Sequence, residues 1–203
     1  ITYAAIIAAE SEDLARLAEL IGDAELLWKR LPMPYLMIVG EALRGWLDVC
    51  DGSRGGMAKI VRSVARSRTD GETLHLTYTL LLLARAHAMA AECYQGRAAT
   101  REGLSWSDSH HQRYLEAELW RVDGELAHRG GETEAAAASL RSAVETANAQ
   151  GASWLELRAL HSFASRFPDP TVRQQLGDLV ETIPSGHDLP AFRAATGFLS
   201  ESG

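Results

Sequence analysis

The chain has 203 residues, of which 27 are acidic and 20 basic, for a formal net charge of −7. A 46% hydrophobic and 23% charged composition belongs to a folded protein long enough for one domain or a short solenoid. The acidic balance argues against a surface built to bind nucleic-acid phosphates. Two cysteines, Cys50 and Cys93, are too few for a disulfide framework or a zinc knuckle, so both read as small core residues in a reducing cytoplasm. The leucine run at 80–83 is far short of the roughly 20 apolar residues that cross a bilayer. Residues 1–9 lack the basic leader of a signal peptide, and the chain opens without Met inside a helical stretch. We therefore expect a cytoplasmic segment of a longer protein.

In chain order, apolar residues at helical intervals predict a helix over 3–21, with Gly22 as its stop. Prolines at 32 and 34 end one helix and start the next, which runs over 35–49 and stops at Gly52. DGSRGG at 51–56 is a turn. It lacks the Gly-Lys-Ser/Thr order of a phosphate loop, although Lys59 follows. A short helix over 57–67 turns Ile60, Val61 and Val64 inward, and TDG closes it at 69–71. The most apolar helix spans 73–94 and ends at Gly96, followed by a short helix over 97–104 and a polar loop over 105–112. Helices over 112–129, 132–150, 153–167, 171–183 and 189–199 complete the chain. The fold class is all-α, as stacked antiparallel helical hairpins of about nine to ten helices in a single domain, 1–203.

The most informative stretch is 117–151. Trp120, Gly124, Ala136, Leu140 and Ala143 follow one another at spacings of four, twelve, four and three. A large residue one turn before a small one, then a small-large-small face, is what a close helix hairpin needs. This resembles a tetratricopeptide repeat, with Asp123, Ala127 and Asn148 where the family has Leu, Tyr and Pro. Gly45, Ala86 and Gly124 take the small-residue position of three first helices, 41 and 38 residues apart, which is longer than the standard repeat. Met57, Val61 and Val64 then form the second-helix face after Gly45, and Ala98, Glu102 and Ser105 a poorer one after Ala86.

A second likeness lies in Glu118-Leu119-Trp120-Arg121, Gly124-Glu125-Leu126, the Ala-rich helix ending in Gln150-Gly151-Ala152, Leu155-Glu156-Leu157-Arg158-Ala159 and Asp188-Leu189-Pro190. Together these resemble the helical-repeat region of bacterial signal-transduction ATPases, namely LuxR-type transcriptional regulators of the maltose-activator kind and related multidomain adenylate cyclases. The likeness covers roughly 30–200 and is most specific over 116–160; Gly186-His187 departs from it in the tail. It implies a repeat domain that receives an inducer or a protein partner beside a separate ATPase module. The ATPase, cyclase and DNA-binding motifs are not in this sequence, so their activities do not carry over.

Stacking the repeats sets Trp46, His87 and Glu125 in a row beside the small residues, with Arg121 and His128 on the same helix face as Glu125. An exposed row of this kind suits a peptide or a small polar ligand; the competing reading packs Trp46 and His87 between helices. Other clusters read as structural. Asp108-Ser109-His110-His111 is too contiguous for a triad and lacks the spacing of a metal site. Glu116, Glu118, Asp123 and Glu125 form a solvated helix face that Arg121 neutralises at i,i+3 and i,i+4. The expectation is a non-catalytic domain without cofactor or metal, without contact to membrane or nucleic acid, serving as the sensor region of a cytoplasmic regulator. A stand-alone scaffold is the alternative, and a helical enzyme a weaker one.

Overall fold

The computed structural model describes residues 1–28, 30–31, 33–69 and 73–201. Every regular element among them is helical. The α-helices are α1 (Thr2–Glu10), α2 (Leu14–Trp28), α3 (Pro34–Cys50), α4 (Gly56–Thr69), α5 (Leu76–Met89), α6 (Cys93–His110), α7 (Glu116–Arg129), α8 (Thr133–Ala149), α9 (Ser153–Ala164), α10 (Pro170–Thr182) and α11 (Pro190–Ser200). Short 3-10 turns at Thr73–His75 and Arg113–Leu115 lead into α5 and α7. This is one helix more than the upper end of the expected range. The chain divides into two compact units, Ile1–Trp106 and Ser107–Gly203. No helix among the described residues is long and apolar enough to cross a membrane.

Three boundaries differ from the sequence reading. The expected first helix breaks after Glu10, where Glu12 adopts φ 60° and the Asp13 carboxylate accepts the Arg16 N–H at 3.0 Å. An aspartate in that position starts a new helix, so α2 begins at Leu14 and passes straight through Gly22. The apolar helix stops at Met89 rather than Tyr94, because Ala91 turns left-handed (φ 58°) and the Glu92 N–H returns to the His87 carbonyl at 2.9 Å. Gly96 then lies inside α6, which runs through the expected short helix and on through the expected polar loop as far as His110. Pro34 opens α3 as expected, after extended Met33. Pro32 and the Asp70-Gly71 part of the TDG turn lie outside the described residues.

In the first unit, α3 and α4 meet backbone to backbone. A Cβ on Gly45 would stand 2.7 Å from the Gly56 carbonyl oxygen, and one on Gly56 2.7 Å from the Gly45 oxygen. Ile60 is fully buried beside them, and the Ser63 hydroxyl donates to the Ile38 carbonyl at 2.7 Å. Of the residues expected inward, Ile60 and Val64 are buried, Met57 is half-buried and Val61 is 46% exposed; Gly56, Ser63 and Ser67 complete the inward face of α4. Leu76 and Leu80 of α5 pack on Val64, with Leu83 and Trp106 closing over them.

In the second unit the expected hairpin contact is present. A Cβ on Gly124 would fall 2.6 Å from Leu140 Cγ and 3.1 Å from the Ala136 carbonyl oxygen. Ala136, Leu140, Ala143 and Ala147 are all fully buried, while Trp120 is half-buried. Leu140 continues into a core with Leu157, Leu160, Phe163, Leu176 and Phe192 from α9, α10 and α11. α10 starts where Asp169 accepts the Thr171 N–H at 2.9 Å and Pro170 takes the first helical position.

From the turn before α5 onward, the local structure repeats every 40 residues. From Leu76 to Glu116, the first residues of α5 and α7, is 40 positions, and so is the step from Thr73 to Arg113 between the two 3-10 turns. The left-handed residues keep the same step, Ala91 to Gly131 and His111 to Gly151. The inward faces of the second helices follow suit: Gly56, Ile60, Ser63, Ser67; then Gly96, Thr100, Gly103, Ser107; then Ala136, Leu140, Ala143, Ala147. Counting six residues back from the C-caps Asp51, Ala90 and Gly130 gives Gly45, Ala84 and Gly124. The small-residue position of α5 is thus Ala84, two residues before Ala86.

Candidate ligand and partner surfaces

With that register, the residues that follow the small positions are Trp46, Arg85 and Glu125, and His87 drops out of the row. Trp46 is half-buried on α3. His87 is half-buried near the end of α5, its Nδ1 2.7 Å from Glu92 Oε2. Arg85 forms a two-point pair with Glu10, at 2.7 and 2.9 Å, that joins α5 to α1. His128 is exposed on α7, edge-on to Phe167 with ring centroids 5.6 Å apart.

Arg121 and Glu125 belong to a network between α7 and the α9 segment. Arg121 donates to both oxygens of Glu118, at 2.8 and 2.7 Å, and pairs with Glu125 at 2.8 Å. Arg158 reaches Glu118 at 3.0 Å, Arg166 reaches Glu125 at 2.9 Å, and Ser162 donates to Glu125 at 3.0 Å. The expected i,i+3 and i,i+4 pairs are therefore present, but the face is not solvated. The Glu118 side chain is 1% exposed and Arg121 11%. α9 covers this face of α7. Asp123, 2% exposed, accepts from the Ser139 hydroxyl at 2.8 Å. The covering segment meets Glu118, Arg121 and Glu125, which are three and four residues apart, with Arg158, Ser162 and Arg166, spaced by four.

The network holds its charges by direct pairing. Burial alone would raise the Glu125 carboxyl; the guanidiniums of Arg121 and Arg166 and the Ser162 hydroxyl outweigh it and leave the group below its ordinary value. His161, beside them, is pushed down by burial and then by Arg166. Its ring sits edge-on to Phe198 of α11 at 5.8 Å. His75 in the first unit is also pushed down by burial, between the rings of Tyr3 and Tyr35.

Both imidazoles are depressed, so the folded chain takes up protons less readily than the unfolded chain, whose histidines titrate near 6.5. Their contribution is complete above that pH and is lost as the pH falls from it through the folded values. We predict a melting temperature that falls steadily from about pH 7 to about pH 5. The double substitution His75→Phe with His161→Phe should flatten that slope, and an unchanged slope would show that neither group contributes.

Gly52 (φ 75°) and Gly55 (φ 91°) are exposed turn residues, and Lys59 pairs with Asp48. His110 ends α6 and His111 occupies the left-handed turn. Among the described residues no three His, Cys, Asp or Glu side chains are placed to share a metal ion. Cys50 and Cys93 are free and half-buried rather than core, and burial raises the Cys50 thiol. Two hollows stand out. One, of about 160 Å3, is apolar and lies among α1, α2 and the start of α3, lined by Tyr3, Leu27, Trp28 and Tyr35. The other, of about 540 Å3, is an open groove among α8, α9 and α10.

Neither a family model nor a solved structure matches the chain. It is 30% identical over 160 residues to an uncharacterised protein of Rhizobium meliloti (strain 1021). The alignment takes in 78% of this chain and 16% of that protein. The chain thus spans less than a fifth of the curated relative it matches.

Proposed function

We propose that the chain is a tetratricopeptide-like α-solenoid of antiparallel hairpins, the non-catalytic binding region of a cytoplasmic bacterial regulator with a separate ATPase module. The observation that carries this reading is the 40-residue recurrence of 3-10 turn, helix, left-handed residue and helix from α5 to α8, with small-residue crossings at Gly45–Gly56 and Gly124–Leu140. Repeats of this kind bury a continuous core and present helix faces for capture of a partner or ligand. The resemblance over 116–160 to signal-transduction ATPases points the same way. The small share of the relative that aligns fits a segment serving a larger protein. Switching then requires a ligand that binds two arrangements of the repeat region with different affinity.

The test is a thermal-shift screen against small polar metabolites. We expect at least one saturable rise in melting temperature, equivalent to about 2.7 kcal/mol at a hundredfold excess over Kd. Trp46→Ala should remove the rise and leave the helical circular dichroism unchanged. A flat response across the panel would count against the sensor reading.

A further inference from the structure

The open groove of the second unit lies outside the expected row of binding residues, and its chemistry is one-sided. Val144 of α8 and Leu179 of α10 form its apolar floor, both half-buried against the core that contains Leu140 and Leu176. Glu145, Glu156 and Asp178 stand around that floor, and none of the lining residues is Lys, Arg or His. Glu145 and Asp178 are exposed, and Glu156 accepts from Asn148 at 3.0 Å.

The backbone adds to this field. α8 and α10 both bring their C-terminal turns to the groove through Asn148 and Thr182, and neither last turn holds a basic residue. α10 runs into extended Ile183, where the Thr182 hydroxyl donates to the Leu179 carbonyl at 2.8 Å and His187 Nε2 lies 2.8 Å from the Ile183 carbonyl oxygen, whereas α8 is closed by the N–H groups of its C-cap. The end of a helix carries partial negative charge, which cations ordinarily complement. A groove of about 540 Å3 with an apolar floor and acidic walls matches a segment that offers aliphatic and basic side chains together.

We propose that this groove docks a basic amphipathic peptide segment of a protein partner, with an aliphatic side chain on Val144 and Leu179 and Lys or Arg side chains toward Glu145 and Asp178. The site goes beyond the function proposed above and uses none of its residues. A metabolite screen that fails would leave the groove untouched, and the converse holds.

The test is titration of the whole chain with a fluorescein-labelled lysine–leucine amphipathic helix, read by anisotropy and by amide chemical shifts. We expect saturable binding that weakens with salt and shifts confined to Val144, Glu145, Glu156, Asp178, Leu179 and their neighbours. Glu145→Lys with Asp178→Lys, both on exposed helix faces, should lower affinity at least tenfold and should favour the matching glutamate–leucine helix instead. The reversal Glu134→Lys, elsewhere on α8, should leave binding unchanged. Shifts at other residues, equal affinity in the double reversal, or spermidine binding the groove as tightly as the peptide would each overturn the proposal.

Discussion

Glu118→Ala is expected to destabilise the second unit by about 3–5 kcal/mol. The carboxylate is 1% exposed and accepts from Arg121 twice, at 2.7 and 2.8 Å, and from Arg158 at 3.0 Å. Truncation takes the Glu118 carboxylate from Arg158 and from Arg121, which keeps Glu125 at 2.8 Å, with little water to replace the lost acceptor. A buried charge without its partner costs more than the pair ever contributed. For the same reason, replacing Glu118, Arg121 and Arg158 together by Met should recover much of the loss. Urea unfolding followed by circular dichroism checks both. A loss below about 1 kcal/mol for Glu118→Ala would mean that the face behaves like a surface ion pair.

Gly45→Ala is expected to cost about 1–3 kcal/mol although it adds a single carbon. The new Cβ would lie 2.7 Å from the Gly56 carbonyl oxygen and 2.8 Å from Ile60 Cγ1. The first of these is backbone, so α3 and α4 must move apart to accommodate it. Gly177→Ala is the matched control. It lies inside α10 with nothing within 4 Å of the added carbon, and there alanine should stabilise by about 0.5–1 kcal/mol through helix propensity. Opposite signs at two helical glycines would separate contact from propensity. A stabilised Gly45→Ala would mean that the α3–α4 crossing is looser than described.

The helices were legible where period and punctuation agree. α7 and α8 follow from Trp120, Gly124, Ala136, Leu140 and Ala143, with Gly130-Gly131 between them. The α5–α6 turn was hidden because it is built on Ala91, a residue with no preference for the left-handed region it occupies. Without that stop, the apolar run read on to Tyr94, and the small-residue position slid from Ala84 to Ala86. The α1–α2 break was hidden differently, since Ser11-Glu12-Asp13 reads as an exposed helix face unless Asp13 is taken as a cap. In α4, Gly56 belongs to the turn by composition, yet it is the first helical residue and the point of contact with Gly45.

The site was legible in part. The i,i+3 and i,i+4 pairing of Arg121 can be read from one helix. Its burial depends on Arg158, Ser162 and Arg166, which approach from another element some 40 residues later, and a local pattern carries no information about that. Acidic residues along a single helix look solvated until the covering helix is known. The groove on α8, α9 and α10 draws on three elements and has no sequence signature of its own.

The register of the repeat underlies both the row of candidate residues and the binding-domain reading. It is tested most directly by nuclear Overhauser contacts in the labelled protein. Strong cross-peaks are expected between the Gly45 and Gly56 α-protons and between the Gly124 α-protons and the Leu140 methyls. Contacts from Gly45 to the Val61 methyls instead, with none to Gly56, would contradict it and restore the register first read from the sequence.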